Sequence, residues 1–263
     1  MSPLAATLAM TLGVTLVIML VLWILATLRR DVSLVDIYWG LGFPVVAWLA
    51  LFRNGSAPRP LVMAIFVTVW GVRLAAYLLW RKWGEGEDRR YTAMRDHHGP
   101  KFWWVSLFTV FLLQGVILWW VAFPFQVAAV HAGPKAMTWS DITGAALWLV
   151  GFLFEAIGDT QMARFQSDAA NKGQVMDRGL WRYTRHPNYF GEFLMAWGYY
   201  LLSLAAGGGW TFLSPLIMTA LLLKVSGVSL LESTITARRP GYADYQRRTN
   251  AFLPWPPRNP ASP

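Results

Sequence analysis

The sequence predicts an all-α, polytopic integral membrane protein with seven transmembrane helices. Of its 263 residues, 56% are hydrophobic and only 14% are charged, and the mean hydropathy is +0.38. Soluble domains carry about 25% charged residues. The apolar residues also come in blocks of about 20, the length at which a helix crosses the hydrocarbon core of a bilayer. The chain has no cysteine, which excludes disulfide scaffolds, zinc fingers and iron–sulfur proteins.

Seven apolar segments justify the seven predicted spans. They cover residues 5–28, 33–52, 61–80, 102–125, 142–163, 188–206 and 210–231. The first is uninterrupted, because no charged side chain precedes Arg29. It is too long for the apolar region of a signal peptide, and no A-x-A cleavage site follows it. We therefore expect it to be retained as a helix.

The distribution of Lys and Arg predicts an outside N-terminus and a cytoplasmic C-terminus. In that orientation the segments 29–32, 81–101, 164–187 and 232–263 face inward and hold 18 of the 23 basic residues. The outer loops hold three, which are Arg53, Arg59 and Lys135. Cytoplasmic loops are enriched in Lys and Arg, so the net charge of +9 is explained without nucleic acid as a partner.

The simplest organisation is one membrane domain over residues 1–254 with a proline-rich tail over 255–263. We expect a monomer surrounded by membrane lipid in the inner (cytoplasmic) membrane of a bacterium. The chain is too short for an additional soluble domain. Any large cofactor must then bind among the helices and the inner loops, on the cytoplasmic side.

Ionisable side chains within the predicted spans are costly and usually face the bundle interior or a polar cavity. They are Asp36, Arg73, Glu155, Asp159, Glu192 and Lys224. Glu155 and Asp159 are four residues apart and so share a helix face. One interpretation is structural: buried ion pairs join helices, as between Asp36 and Arg73. The other is a shared anionic ligand bound by the carboxylate-bearing spans and the arginine-rich inner segments.

A dinucleotide fits the second interpretation, because arginines suit its phosphates and carboxylate, amide or tyrosine side chains suit its riboses and carboxamide. The motifs of soluble nucleotide-binding proteins, GxGxxG after a strand and GxxxxGK[ST], do not occur. No metal site is predicted, because the four histidines are scattered. His97 and His98 lie beside Glu87 and Asp88, and a solvated loop explains this pair better than a metal does.

The segment 178–192, RGLWRYTRHPNYFGE, is the most informative motif, and its Pro187 is a helix-start signal at the sixth span. Downstream lie GYADY at 241–245 and FLP at 252–254. These motifs resemble those of the membrane-embedded steroid 5α-reductase family. Sterol reductases and isoprenylcysteine carboxyl methyltransferases resemble the chain in the central part of the first motif, RHPNY…GE. Over its whole length the chain is similar to the 5α-reductase type, as a bacterial homologue.

The resemblance implies NADPH as the cofactor. Asn188 and Glu192 match the family positions that meet the nicotinamide, and Asp159 matches an acidic residue on the preceding long helix. Glu155 stands where steroid reductases often have asparagine. Arg164 and Arg182 are candidate phosphate contacts. The full candidate cofactor-binding set is Arg73, Glu155, Asp159, Arg164, Arg182, His186, Asn188, Glu192, Tyr242 and Tyr245.

The resemblance also implies a substrate end. Asp36 falls where the steroid enzymes have a glutamate that binds and protonates a 3-keto group. Their partnering tyrosine on the third helix has no match here, since the nearest residue is Trp70. Tyr38 is the candidate substitute, so Asp36 and Tyr38 form the candidate catalytic pair.

The implied activity is that of a 3-oxo-5α-steroid 4-dehydrogenase (NADP⁺), an oxidoreductase acting on CH–CH groups. Hydride goes to the β-carbon of a steroid-like, apolar enone, and the enolate is then protonated. One alternative is an S-adenosylmethionine-dependent methyltransferase acting on a lipid or prenyl group, in which the acid of the second span has no evident role. Another is a non-enzymatic lipid-binding or structural membrane protein, whose arginines would not converge on a cavity.

Overall fold

The structure is a computed structural model that describes residues 1–131, 133–225, 232, 239 and 241–258. All regular secondary structure in these ranges is helical, which confirms the all-α prediction. The α-helices are α1 Pro3–Arg29, α2 Leu34–Asn54, α3 Pro58–Lys82, α4 Arg89–His98, α5 Phe102–Ser106, α6 Leu113–Val121, α7 Phe123–His131, α8 Trp139–Ser167, α9 Pro187–Ala205, α10 Leu213–Ala220 and α11 Tyr242–Arg248. Two π-helical stretches, Leu107–Leu112 and Leu221–Val225, continue α5 and α10.

Five helical segments are long and apolar enough to cross a membrane. They are α1, α2, α3, the run Arg89–Val121 and α8. They coincide with the first five predicted spans. The sixth predicted span is helical as α9, and the seventh contains the shorter apolar helix Gly209–Lys224. The end of the seventh span, 226–231, and the last five residues of the tail, 259–263, lie outside the described residues.

The fourth predicted span, 102–125, ends earlier than expected. Its helix stops at Val121, and Ala122 leaves the helical conformation with φ −79° and ψ 2°. Pro124 lies directly beyond. Proline has no amide hydrogen and its ring clashes with the carbonyl four residues back, so the chain starts a new helix, α7, in which Phe123 to Ala129 are all buried.

The described chain forms two compact units. Unit 1 comprises Met1–Met137 with Leu202–Thr211, and unit 2 comprises Thr138–Leu201 with Phe212–Pro263. Unit 1 contains α1 to α7. Unit 2 contains α8, nearly all of α9, and the elements after α9 as far as they are described.

In unit 1, α1 buries a stripe of threonines rather than a purely apolar face. Thr7, Thr11 and Thr15 are fully buried and recur every four residues, so they share one face of the helix. Thr11 Oγ1 donates to Gln126 Oε1 at 2.5 Å, and Asn54 Nδ2 donates to Thr7 Oγ1 at 3.0 Å. Hydrogen bonds of this kind fix one helix against others within a bilayer.

In unit 2, glycines let the backbones of α8 and α9 touch. A methyl group on Gly151 would lie 2.5 Å from the carbonyl oxygen of Gly191, and one on Gly191 would lie 2.7 Å from the amide nitrogen of Glu155. Two helical turns further along α9, a methyl group on Gly198 would lie 2.7 Å from the carbonyl oxygen of Gly144. Small residues at this spacing are the usual means of close helix packing in membranes.

This contact predicts that Gly191→Ala destabilises the protein by about 1–3 kcal/mol, the cost of an overpacked contact against backbone. Thermal or denaturant unfolding in detergent measures the change. Gly13→Ala is the matched control, since Gly13 is also within a helix but has nothing within 4 Å of an added methyl group. It should be neutral or slightly stabilising. Equal stability of both variants would contradict the close contact.

Candidate functional site

Asp36 lies in the first turn of α2, within unit 1, and is held by the beginning of α4. Its Oδ1 accepts a hydrogen bond from the Tyr91 hydroxyl at 2.7 Å, and its Oδ2 accepts one from Arg90 NH2 at 2.7 Å. Gln114 Nε2 approaches the Tyr91 hydroxyl at 3.4 Å. Carboxylate, phenol and guanidinium therefore form one hydrogen-bonded cluster.

α4 is positioned for this contact by its own N-terminal cap. The Asp88 side chain accepts a hydrogen bond from the backbone amide of Arg90 and another from Arg90 Nε, both at 2.9 Å. A carboxylate at this position satisfies a backbone donor that the helix leaves open. The cap thus fixes the direction of the Arg90 side chain toward Asp36.

Further polar contacts tie α4 to the connection between α1 and α2. The backbone amide of Asp88 donates to Ser33 Oγ at 2.8 Å, and that of Val32 donates to Glu87 Oε1 at 2.8 Å. Arg95 binds both oxygens of Glu87, at 2.7 and 2.9 Å. These bonds hold the segment carrying Tyr91 against the start of α2.

Two carboxylates of this connection have perturbed pKa values. Burial raises the pKa of Asp31, but hydrogen bonds from Lys82 and Ser33 outweigh burial and leave the pKa below its usual value. The Lys82 ammonium lies 2.8 Å from Asp31 Oδ2. For Asp88 too, burial raises the pKa and the hydrogen bonds from Arg90 lower it. The hydrogen bonds prevail, so the pKa of Asp88 is below its usual value.

The cluster differs from the sequence-based expectation at two residues. The donors that the structure shows at Asp36 are Arg90 and Tyr91, whereas the structural interpretation had Arg73 as its partner. Arg73 instead stacks on the Tyr77 ring at 5.5 Å, and Arg81 lies at 5.6 Å from the same ring. Arg73 is in unit 1, whereas the other candidate cofactor-binding residues are in unit 2.

Tyr38 does not share the Asp36 face, because residues two apart on a helix point in different directions. Its ring lies beside Gly42, and its hydroxyl is buried without a hydrogen-bond partner among the described residues. The phenol that reaches Asp36 is Tyr91, which the sequence analysis missed. The role of Tyr38 stays a prediction.

A second group of candidate residues surrounds the α8–α9 contact in unit 2. Glu155 and Asp159 are buried, with 1% and 4% of their surface exposed. Gly158, between them, packs against Pro187, and a methyl group on it would lie 3.5 Å from the amide nitrogen of Asn188. The start of α9 is therefore packed directly on the helical turn that carries the two carboxylates.

Asn188 is the residue of this group with an unused polar atom. Its Oδ1 is buried and has no hydrogen-bond partner among the described residues. Buried acceptors are rarely left unpaired, because each costs about 1–3 kcal/mol. Glu192 follows one turn later on the same side of α9 and is partly buried.

The loop before α9 is held by two hydrogen bonds at Trp181. The Trp181 indole donates to the Gly158 carbonyl oxygen at 2.9 Å, and the Tyr245 hydroxyl donates to the Trp181 carbonyl oxygen. Tyr242 and Tyr245 are buried side chains of α11, which therefore lies against this loop.

Both tyrosines have perturbed pKa values. Burial is the main cause that raises the pKa of Tyr242 to about 12, and the negative charge of Glu232 adds to it. Burial, then the neighbouring Tyr242, also raises the pKa of Tyr245.

Arg185 and His186 share an acidic partner that the sequence analysis did not identify. Arg185 donates to both oxygens of Glu232, at 2.7 and 2.8 Å, and His186 Nε2 lies 3.1 Å from Glu232 Oε1. Burial raises the pKa of Glu232, but the hydrogen bonds from His186 and Arg185 prevail and lower it to about 2. The candidate cofactor residue His186 is thus held by Glu232.

Arg164 and Arg182 are the two candidate phosphate contacts, and both are exposed. Arg164 is at the end of α8, and Arg182 is in the 3₁₀ turn Gly179–Arg182. Their guanidinium groups are therefore open to an anion from solution.

The Glu232 cluster makes a pH-dependent prediction. Glu232→Gln should cost about 3 kcal/mol at neutral pH, since it breaks a largely buried ion pair. A folded-state pKa of about 2 is below the usual 4.5, so the contribution is complete above about pH 5 and declines as pH falls toward 2. The stability difference between wild type and variant should shrink in that range, measured by denaturant unfolding in detergent.

Asp244→Asn is the control, because Asp244 and Arg247 form an exposed pair, 61% and 72% accessible. Exposed pairs contribute at most about 1 kcal/mol. A difference between wild type and Glu232→Gln that does not change between pH 7 and pH 3 would contradict the assigned pKa.

Comparison with known proteins places these features in a family. The model of the family described as "Protein of unknown function (DUF1295)" matches residues 22–249, which include both groups of candidate residues. The chain is also 26% identical, over 264 aligned residues, to the uncharacterized protein C594.04c of Schizosaccharomyces pombe, covering 89% of this chain and 75% of that protein. No solved structure matches. The family match spans most of the sequence, and the chain therefore belongs to the DUF1295 family.

Proposed function

We propose that this protein is an NADPH-dependent reductase of the steroid 5α-reductase type, which saturates the C=C bond of an apolar, steroid-like enone. The positive-inside distribution of Lys and Arg supports a cofactor end on the cytoplasmic side of a bacterial inner membrane.

The observation that carries the proposal is the buried, unpartnered Oδ1 of Asn188. Asn188 belongs to the RHPNYFGE motif, and its backbone amide nitrogen lies beside Gly158, on the turn of α8 between Glu155 and Asp159. An acceptor in that position suits the carboxamide N–H of a nicotinamide.

The surroundings of Asn188 also fit the rest of a dinucleotide. Buried carboxylates accept hydrogen bonds from ribose hydroxyls, and exposed arginines bind phosphates in bidentate geometry. We assign the first role to Asp159 and Glu192 and the second to Arg164 and Arg182. NADPH, when bound, supplies a hydride.

At the substrate end, the proposed donor is Tyr91, positioned by Asp36. In the structure the Tyr91 hydroxyl donates its one hydrogen to Asp36 Oδ1 at 2.7 Å, so on substrate binding it turns that hydrogen to the ketone oxygen, where negative charge develops during reduction. Donors placed where charge develops stabilise the transition state. Arg90 holds the Asp36 carboxylate, and the α-carbon then takes its proton from water. This replaces the expected Asp36–Tyr38 pair, while Tyr38 keeps an unpartnered hydroxyl for a second ligand contact.

The cofactor assignment predicts the behaviour of Asn188→Ala. Affinity for NADPH should fall about 3- to 10-fold, which is the value of one neutral hydrogen bond, and thermal stability should not fall. Asn54→Ala is the matched control. Asn54 donates to Thr7 and to the Ala50 carbonyl oxygen, so its loss should lower thermal stability and leave NADPH binding intact.

Isothermal titration of the purified protein with NADPH and with S-adenosylmethionine measures these effects. Saturable binding of S-adenosylmethionine without NADPH binding would overturn the reductase proposal in favour of a methyltransferase.

The substrate assignment predicts that Tyr91, and not Tyr38, makes the larger contribution to the rate of reduction. Tyr91→Phe removes the donor and Asp36→Asn removes the carboxylate that positions it, so each should lower single-turnover reduction of a 3-oxo-Δ4 steroid by about 10²-fold, the usual cost of losing one donor to a developing oxyanion. NADPH affinity should be unchanged, because these residues belong to the substrate end. Tyr38→Phe is the comparison variant and should lose much less. Full activity of Tyr91→Phe, or a greater loss in Tyr38→Phe, would remove Tyr91 from the mechanism.

A further inference from the structure

Four buried side-chain polar atoms have no hydrogen-bond partner within the part of the chain that the structure describes. They are Thr15 Oγ1, Tyr38 OH, Asn188 Oδ1 and Trp197 Nε1. Two of the four residues, Tyr38 and Asn188, were already candidates for ligand contacts on the sequence alone. Trp197 has no role assigned so far.

Leaving the buried indole N–H of Trp197 without an acceptor is energetically unfavourable. Its N–H can only donate, so no rotation of the group turns it into an acceptor, and it needs an oxygen or nitrogen lone pair. Thr15 is less demanding, because a helical threonine can turn its hydroxyl to a carbonyl of the preceding turn, as Thr7 does at 2.9 Å from the Pro3 carbonyl oxygen.

Another tryptophan of unit 2 shows the ordinary arrangement. Trp148 donates its indole N–H to the Tyr199 hydroxyl at 2.7 Å. The two residues connect α8 and α9, so this indole has a structural partner. Trp197 also lies on α9, and its ring contacts Phe193 and Tyr200 of the same helix.

Trp197 is part of a row of aromatic side chains. Phe190, Phe193, Trp197 and Tyr200 are spaced by three or four residues, so they follow one side of α9. Neighbouring ring centres along the row are 6.2, 6.2 and 5.9 Å apart. Phe252 adds a further ring at 5.5 Å from Phe193. The row thus offers aromatic surface that carries two polar groups, the Trp197 N–H and the Tyr200 hydroxyl.

We propose that Trp197 is a specificity-determining residue, which donates its indole N–H to an oxygen on the substrate remote from the reacting enone. The proposal rests on the proposed reductase function. The ligand class is a fused-ring apolar ketone that carries a second oxygen acceptor. Fused rings fit the aromatic row through flat contact area, and the second oxygen supplies the acceptor that Trp197 lacks.

The test uses two probes and two variants. The probes are 4-androstene-3,17-dione, which has an oxygen at the far end of the ring system, and 4-androsten-3-one, which lacks it. Trp197→Phe keeps an aromatic ring and removes the N–H, and Trp148→Phe is the matched control. Dissociation constants come from equilibrium binding of radiolabelled steroid to the purified protein without NADPH, and melting temperatures from the same preparations.

Trp197→Phe should weaken binding of the dione about 3- to 10-fold and leave binding of the mono-ketone unchanged. Its melting temperature without ligand should be equal to or above that of the wild type, since no protein hydrogen bond is lost. Trp148→Phe should show a lower melting temperature and an unchanged ratio of the two affinities.

Equal affinity of the wild type for the two steroids, an equal loss for both in Trp197→Phe, or no binding of either would overturn the proposal. Failure of the reductase function is recognised separately. If the selective loss is seen in binding but neither steroid is reduced in the presence of NADPH, the Trp197 contact stands and the proposed reaction does not.

Discussion

The close approach of α8 and α9 is the constraint on which the proposed cofactor end depends. Gly151 and Gly191 have no side chains, so the two backbones meet where any larger residue would separate them. Only at this distance does Asn188, at the start of α9, lie on the turn of α8 that carries Glu155 and Asp159. The buried carboxylates and the amide are brought together by residues that have no functional groups of their own.

The substrate end is built by a different principle. α4 is a polar helix, and in unit 1 it is held by charged and hydrogen-bonded contacts instead of apolar packing. Asp88 caps it, Glu87 and Ser33 join it to the preceding helices, and Asp36 receives its two donors. Each bond of this kind contributes little alone, but together they leave few orientations for the Tyr91 hydroxyl. A precise contact is thus obtained in a segment that offers little apolar surface to bury.

The sequence predicted the parts of this structure that have a local signal. Long apolar blocks indicated the helices of the first five spans, and a carboxylate within such a block singled out Asp36. Tyr91 could not be found in that way, because it lies in a charged segment typical of a solvated loop and its partner is 55 residues away. Glu232 was missed for the same reason, since its partners Arg185 and His186 precede it by 47 and 46 residues. Pro124 did carry a local signal for the early end of the fourth span, but the apolar residues around it obscured that signal.

The threonine stripe of α1 bears on how the protein is assembled in a bilayer. The Thr7 hydroxyl donates to the Pro3 carbonyl oxygen, and the Thr11 hydroxyl lies within reach of the Thr7 carbonyl oxygen, both at 2.9 Å, so each of these two hydroxyls has an acceptor within its own helix. Partners for the same hydroxyls arrive later, from Asn54 and then from Gln126, which is 115 residues beyond Thr11. The hydrogen bonds that orient this face of the first helix therefore come from two later parts of the chain, and they are complete only once Gln126 has been synthesised.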